Sequence, residues 1–198
     1  MQTNPGTDLT PLVIEPMRSD ADARAFRQLN EEWITSLFIL EDADRALLND
    51  PVGRILGTGG AVLIARLGDD AVGCVALVPT GDGVFELSKM SVSPALRNRG
   101  AGRRLILAAI ETATELGATS LFLGSSTKLP SAVHLYESVG FTHVPAERIG
   151  PMPYARANVF MELELPIRWP GGGGHPRGQS LQDARDPRNL WPDRMNVE

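Results

Sequence analysis

The sequence predicts a mixed α/β domain, with a largely antiparallel sheet of about six or seven strands flanked by about four helices. Three observations carry this. Apolar or alternating runs at residues 61–66, 72–78 and 85–92 are joined by short turns, which is the pattern of an antiparallel meander. A long helical stripe follows at residues 100–116, with Leu105, Ile106, Ala109, Ile110, Ala113 and Leu116 on one face. The apolar run at residues 119–123 is then reached by a crossover, which makes it a parallel neighbour of the meander's last strand.

The elements follow in order. Residues 1–10 read as a loose polar leader, and residues 12–15 as a short strand ended by Pro16. Ser19 or Asp20 caps a helix that carries Ala25, Phe26, Leu29 and Trp33. Residues 34–40 are apolar and open in geometry; a second helix at 41–48 stops at Asn49, Asp50 and Pro51. Gly57 to Gly60 form a turn, and Gly68, Asp69 and Asp70 a hairpin turn. The segment from Pro79 to Gly83 turns into the next strand, where Phe85, Leu87, Lys89 and Ser91 alternate with Glu86, Ser88, Met90 and Val92, a pattern broken near the strand's end. Pro130 opens a helix from about Ser131 with a core face of Val133, Leu135, Tyr136 and Val139, and Gly140 stops it. Residues 141–144 and 157–165 are the last strands, separated by a turn-rich loop. From Pro166 four consecutive glycines and scattered prolines give no core pattern. The expected organisation is therefore one domain over residues 1–165 and a largely disordered tail over 166–198, with Trp169 and Trp191 able to dock.

Composition excludes several classes of function. The chain has 198 residues, 42% hydrophobic and 22% charged, enough for one substantial core. A net charge of -5 argues against a nucleic-acid partner, which needs a basic face for phosphates. The single cysteine, Cys74, lies in an apolar run and reads as a small buried hydrophobe; no internal disulfide or cysteine-rich metal site follows. No apolar run approaches a membrane span, and the start lacks the basic-then-apolar pattern of a signal peptide. A cytoplasmic protein without metal or membrane partner is the expectation.

The chemistry concentrates between the fourth strand and the long helix. Arg97, Asn98, Arg99, Gly100, Ala101 and Gly102 form a basic, glycine-bearing turn at the helix start, followed by Arg103 and Arg104. The first N–H groups of a helix have no intrahelical acceptor, and the helix dipole adds positive charge there, so the turn suits an anion. Gly100 and Gly102 let a diphosphate approach the backbone with no Cβ in the way. The Lys-Ser/Thr pair of a nucleoside-triphosphate loop and the three-glycine dinucleotide spacing are both absent.

Residues 97–102 resemble the coenzyme A signature of the GNAT N-acetyltransferases, Arg/Gln-x-x-Gly-x-Gly/Ala. Ala132, Leu135, Tyr136, Glu137, Gly140 and Phe141 match the second motif of that family, in the same order along the chain. The likeness spans roughly residues 12–165. Residues 126–129, 132–141 and 154–162 also resemble the acetyltransferase halves of fusions with MarR-type regulators and their standalone relatives, without implying DNA binding. The resemblance implies the GNAT fold, with a splayed parallel strand pair, acetyl-CoA as co-substrate, and transfer of an acetyl group to an amine. The acceptor is a small molecule or amino-acid-like amine, attacking directly in a ternary complex. A protein lysine or N-terminus as acceptor, and a non-catalytic acyl-CoA sensor, are the alternatives. A homodimer through the final strands is compatible with such a fold.

Under that resemblance Tyr136 is the proton donor to the leaving thiolate, and Glu86 the base for the ammonium; an ordinary strand salt bridge is the competing role for Glu86. Backbone groups of Met90, Ser91 and Val92 hold the carbonyl and pantetheine, and residues 97–103 hold the diphosphate. Relatives carry an asparagine where this chain has Leu129, so Ser131 or Ser126 takes that contact. The first two helices wall the acceptor pocket, with Glu31, Glu32 and Trp33 as candidate contacts together with Tyr154, Arg156 and Asn158; a purely structural role is the alternative for the last three. His134 reads as a surface histidine.

Overall fold

The computed structural model describes residues 11–149 and 153–165. The expected polar leader and the expected tail lie outside these residues. Seven strands form one sheet in the order β1-β2-β3-β4-β5-β7-β6. They are β1 (Leu12–Pro16), β2 (Ala61–Leu67), β3 (Asp70–Gly81), β4 (Val84–Val92), β5 (Ser120–Ser125), β6 (Thr142–His143) and β7 (Val159–Glu164). The helices are α1 (Asp20–Leu37), α2 (Asp42–Asn49), α3 (Pro51–Arg54), α4 (Ala101–Glu115) and α5 (Pro130–Ser138).

Each sheet face has its own core. Leu63, Val75, Leu77, Phe85 and Leu87 pack with Leu105, Ile106, Ala109 and Ala113 of α4 and Tyr136 of α5. Val62, Ile64, Cys74 and Ala76 pack on the other face with Phe26 of α1, Leu48 of α2 and Ile55. The alternation of β2 and β3 distributes side chains between these layers.

α1 begins with a capping box, in which Ser19 accepts from the Asp22 amide and Asp22 from the Ser19 amide. It runs past Trp33 to Leu37, because Ile34 continues the buried stripe of Phe26 and Asn30. Asn49, Asp50 and Pro51 do end α2, but the chain turns at once into α3, with Pro51 in its first turn and Asp50 accepting from the Gly53 amide. Pro79 lies inside β3 and not in the turn. β2 ends at the Ala61↔Leu77 pair, so no neighbour on that side needs an N–H from Pro79. Asp82 and Gly83, both at positive φ, make the two-residue turn that follows.

The break in alternation read near the end of β4 is a bulge. Cys74 pairs with Ser91 and Ala76 with Ser88, so β4 carries one residue more than β3 over this interval, and Lys89 sits at φ 51. Phe85 and Leu87, then Met90 and Val92, face the α4 core. Lys89 and Ser91 turn the other way, Lys89 to Asp44 of α2 and Ser91 to the Leu29 carbonyl of α1.

β4 and β5 are parallel and pair only over Val84↔Ser120, Phe85↔Leu121 and Glu86↔Phe122. Beyond Glu86 the two strands part, leaving the β4 backbone from Leu87 to Val92 without a β5 partner. This is the splay that the resemblance implied.

Candidate functional site

A cavity of about 880 Å³ opens where β4 and β5 separate. Its wall includes Met90, Ser91 and Val92 of β4, Arg97, Asn98 and Gly100 of the following turn, and Gly102 and Arg103 of α4. Ser126 and Leu129 border it from the β5–α5 connection, and Ser131 and Tyr136 from α5. Trp33 and Phe38 at the end of α1 close another side, together with Glu86, Lys89, Tyr154 and Arg156.

The α4 N-terminus is uncapped: Gly100 is the N-cap residue at φ 79, and no side chain caps the helix. Arg104 makes the first cap bond, N to Gly100 O at 3.1 Å, so the amides of Ala101, Gly102 and Arg103 precede it without an intrahelical acceptor. The two glycines have different reasons. Gly100 needs its positive φ; a Cβ on Gly102 would lie 3.0 Å from Leu135 Cδ2, so Gly102 lets α5 pack closely on α4. Arg97 donates to the Val92 carbonyl at 3.3 Å, and Arg103 to Ser138 of α5 at 3.0 Å. Arg104 turns away to the Leu12 carbonyl, 2.6 Å distant. The side chains of Arg99 and Ala101 do not line the cavity, and Ala101 is buried.

Tyr136 is buried, edge-on to Phe141, with its hydroxyl 3.9 Å from Met90 Sδ. Burial pushes its phenol up to about 12, so it holds its proton at neutral pH. Glu86 is 4% exposed. Burial raises its carboxyl above the usual range, against the charge of Lys89 and a hydrogen bond from Ser88.

The sequence reading missed Lys89, Asp44 and Glu41. Lys89 Nζ lies 3.0 Å from Asp44 Oδ1 and donates to the Tyr154 hydroxyl at 2.7 Å. Arg156 grips Asp44 through both terminal nitrogens, at 2.8 and 2.6 Å, and Glu41 at 3.0 Å. Burial works against ionising Asp44, but the Arg156 hydrogen bonds and the Lys89 charge prevail and hold its carboxyl below the usual range. The Tyr154 phenol is raised, chiefly by burial. Its ring lies under both cations, with Lys89 Nζ at 4.0 Å and Arg156 Cζ at 4.6 Å from its centre. A lysine in the middle of an apolar strand was the available signal; its partners in α2 were not readable from spacing.

Trp33, Tyr154 and Arg156 thus reach the cavity, whereas Glu31 and Glu32 do not line it. Glu31 pairs with Arg27 at 2.7 Å, and Glu32 accepts from Gln28 at 2.9 Å, both one helical turn along α1. Asn158 fastens the β5–α5 connection, accepting from the Thr127 amide at 2.8 Å and donating to its hydroxyl at 3.2 Å. His134 is exposed and lies beside Glu137. Cys74 is sealed between Asn30 and the Lys89 carbonyl, its thiol pushed up to about 12 by burial. Among the described residues no group of His, Cys, Asp and Glu could hold a metal ion, and no helix is long and apolar enough to cross a membrane.

The acetyltransferase (GNAT) family model matches residues 19–141. The uncharacterized N-acetyltransferase YjgM of Escherichia coli (strain K12) is 35% identical over 129 residues, covering 63% of this chain and 76% of its own length. Among solved structures, a GNAT-family acetyltransferase of Staphylococcus aureus superposes with a TM-score of 0.71 at 20% identity, covering 78% of this chain and 99% of that one. The yncA protein of Salmonella typhimurium, solved with its cofactor acetyl-CoA, gives a TM-score of 0.60 at 22% identity, over 79% and 95% of the two chains.

Proposed function

Since this chain belongs to the GNAT acetyltransferase family and is an acetyl-CoA-dependent acyltransferase, we propose that it acetylates the primary amine of a small, amino-acid-like acceptor by direct attack. The observation that carries this reading is that Glu86 and Tyr136 line one cavity, whose wall also holds the uncapped N-terminus of α4.

In this reading the free amides of Ala101, Gly102 and Arg103, with Arg97, Asn98, Arg99 and Gly100 around them, bind the diphosphate of the co-substrate. The β4 edge left without a β5 partner at Met90, Ser91 and Val92 receives pantetheine and the thioester carbonyl, and Ser126 or Ser131 takes the contact that Leu129 cannot make. Glu86 removes one proton from the acceptor's ammonium. The freed amine attacks the thioester carbonyl, the C–N bond forms, and the C–S bond breaks. Tyr136 gives its proton to the departing thiolate, and the second proton lost by the nitrogen restores the phenol through solvent. No protein nucleophile is needed.

The test is thiol release from acetyl-CoA across a panel of amines, amino acids and peptides. Release with small amines or amino acids supports the proposal. Release confined to peptides moves the acceptor to a protein lysine or N-terminus; tight acetyl-CoA binding with no release from any acceptor moves the chain to the sensor role.

A further inference from the structure

Resting on the acetyl-transfer reading, we propose that the acceptor carries an anionic group besides its amine, and that Lys128 binds that group. The inference comes from the charges that face the cavity. Among the described residues Glu86 is the only carboxylate residue in its lining, whereas Lys89, Lys128 and Arg156 line it together with Trp33 and Phe38. Two of these cations are answered from behind the wall: Lys89 by Asp44, and Arg156 by Asp44 and Glu41. Asp44 is fully enclosed and does not line the cavity, so an acceptor meets a balanced pair of charges there. Lys128 has no carboxylate partner among the described residues.

The backbone at Lys128 is held in place, and its exposed side chain reaches from there to Phe38. Its backbone amide meets the Ser126 hydroxyl at 3.3 Å, and the preceding Thr127 is tied to Asn158 at both amide and hydroxyl. Its ammonium sits 5.6 Å from the centre of the Phe38 ring, and the Arg156 guanidinium 6.0 Å from the same ring. Phe38 meets Trp33 edge-on at 6.3 Å, which gives this side of the cavity an aromatic wall. An unanswered cation beside an aromatic wall, in the same cavity as one buried carboxylate, is complementary to a zwitterion: amine toward Glu86, anion toward Lys128, apolar part against Phe38. A second ammonium in place of the anion would meet Lys128 as a like charge, so diamines and lysine-rich peptides fit poorly.

The experiment compares thiol release for matched acceptors: a free amino acid, its carboxamide, the corresponding decarboxylated amine, and a diamine of similar length. The expected order in kcat/KM places the free acid about 10-fold or more above the others. Lys128→Glu is expected to raise KM for the acid by about 10-fold or more and to invert the order, so that the diamine overtakes it. Lys128→Met, which keeps the apolar stem over Phe38, is expected to remove the preference without inverting it. Equal or better turnover of the carboxamide or diamine by the unaltered protein overturns the proposal, as does an unchanged KM for the acid in Lys128→Glu. Weakened acetyl-CoA binding in calorimetry of that variant also overturns it, assigning Lys128 to the co-substrate. No release with any acceptor, despite acetyl-CoA binding, overturns the acetyl-transfer reading itself.

Discussion

Glu86 and Tyr136 meet the same physical influence with different consequences. Burial raises the pKa of both groups, which leaves the tyrosine protonated and able to donate, but makes the glutamate harder to ionise. A base works in its deprotonated form, so activity limited by Glu86 rises as pH climbs through an elevated carboxyl pKa and is lost below it. Glu86→Gln is expected to remove that acid limb from the pH profile of kcat/KM and to lower the rate on the order of 10²-fold or more. Tyr136→Phe should cost on the order of 10²-fold in kcat with acetyl-CoA binding unchanged, measured by steady-state kinetics beside calorimetry. An unaltered rate would remove the donor role from Tyr136. Both residues were named from sequence through the resemblance, Tyr136 by motif and Glu86 by its place on the central strand, and both line the cavity. Lys89 was not. A positive φ at a bulge reverses which way a side chain points, and no one-dimensional pattern records the partner strand's register.

At the scale of elements, the bulge in β4 joins three separate parts of the fold. By turning Lys89 away from the α4 core it lets one ammonium reach Asp44 on α2 and Tyr154 ahead of β7, while Arg156 closes the same ring. Removing one member leaves a buried charge unanswered, so Asp44→Asn is expected to destabilise the fold by about 3–5 kcal/mol, read from chemical denaturation at neutral pH. The pH dependence has a defined sign. Asp44 is held below its ordinary value, so its stabilisation is present above roughly pH 4 and is lost as pH falls through the lowered folded pKa. Glu86 is held above its ordinary value, so its burial favours the fold while it is protonated and costs stability as pH rises through the raised pKa. The deficit of Asp44→Asn against the unaltered protein should therefore shrink on acidification; a constant deficit would contradict an ionised Asp44 at the centre of the cluster. α4 and the meander were readable because their periodicity is long and uninterrupted. α3 and the last turn of α1 were not, since one is four residues long and the other depends on the burial of Ile34, which is set by the folded chain and not by spacing.

For the whole molecule, the functional fact is that a continuous sheet is interrupted at one place. Hydrophobic clusters on both faces hold the seven strands together, yet β4 and β5 share only three paired positions before separating. The crossover through α4 puts a helix N-terminus beside that gap, and α1, the β5–α5 connection and the segment before β7 supply the remaining walls. The meander, the crossover and the parallel neighbour followed from local sequence patterns. The ion cluster behind the cavity wall did not, because Glu41, Asp44, Lys89 and Arg156 come together only when the sheet is assembled. Calorimetric titration of the full chain with acetyl-CoA tests the central claim most directly. Saturable binding at one site, weakened by added salt as expected for a diphosphate held by backbone amides and arginines, agrees with a cofactor seated on the α4 N-terminus. Absence of binding heat across a range of temperatures, with the protein folded, would contradict it.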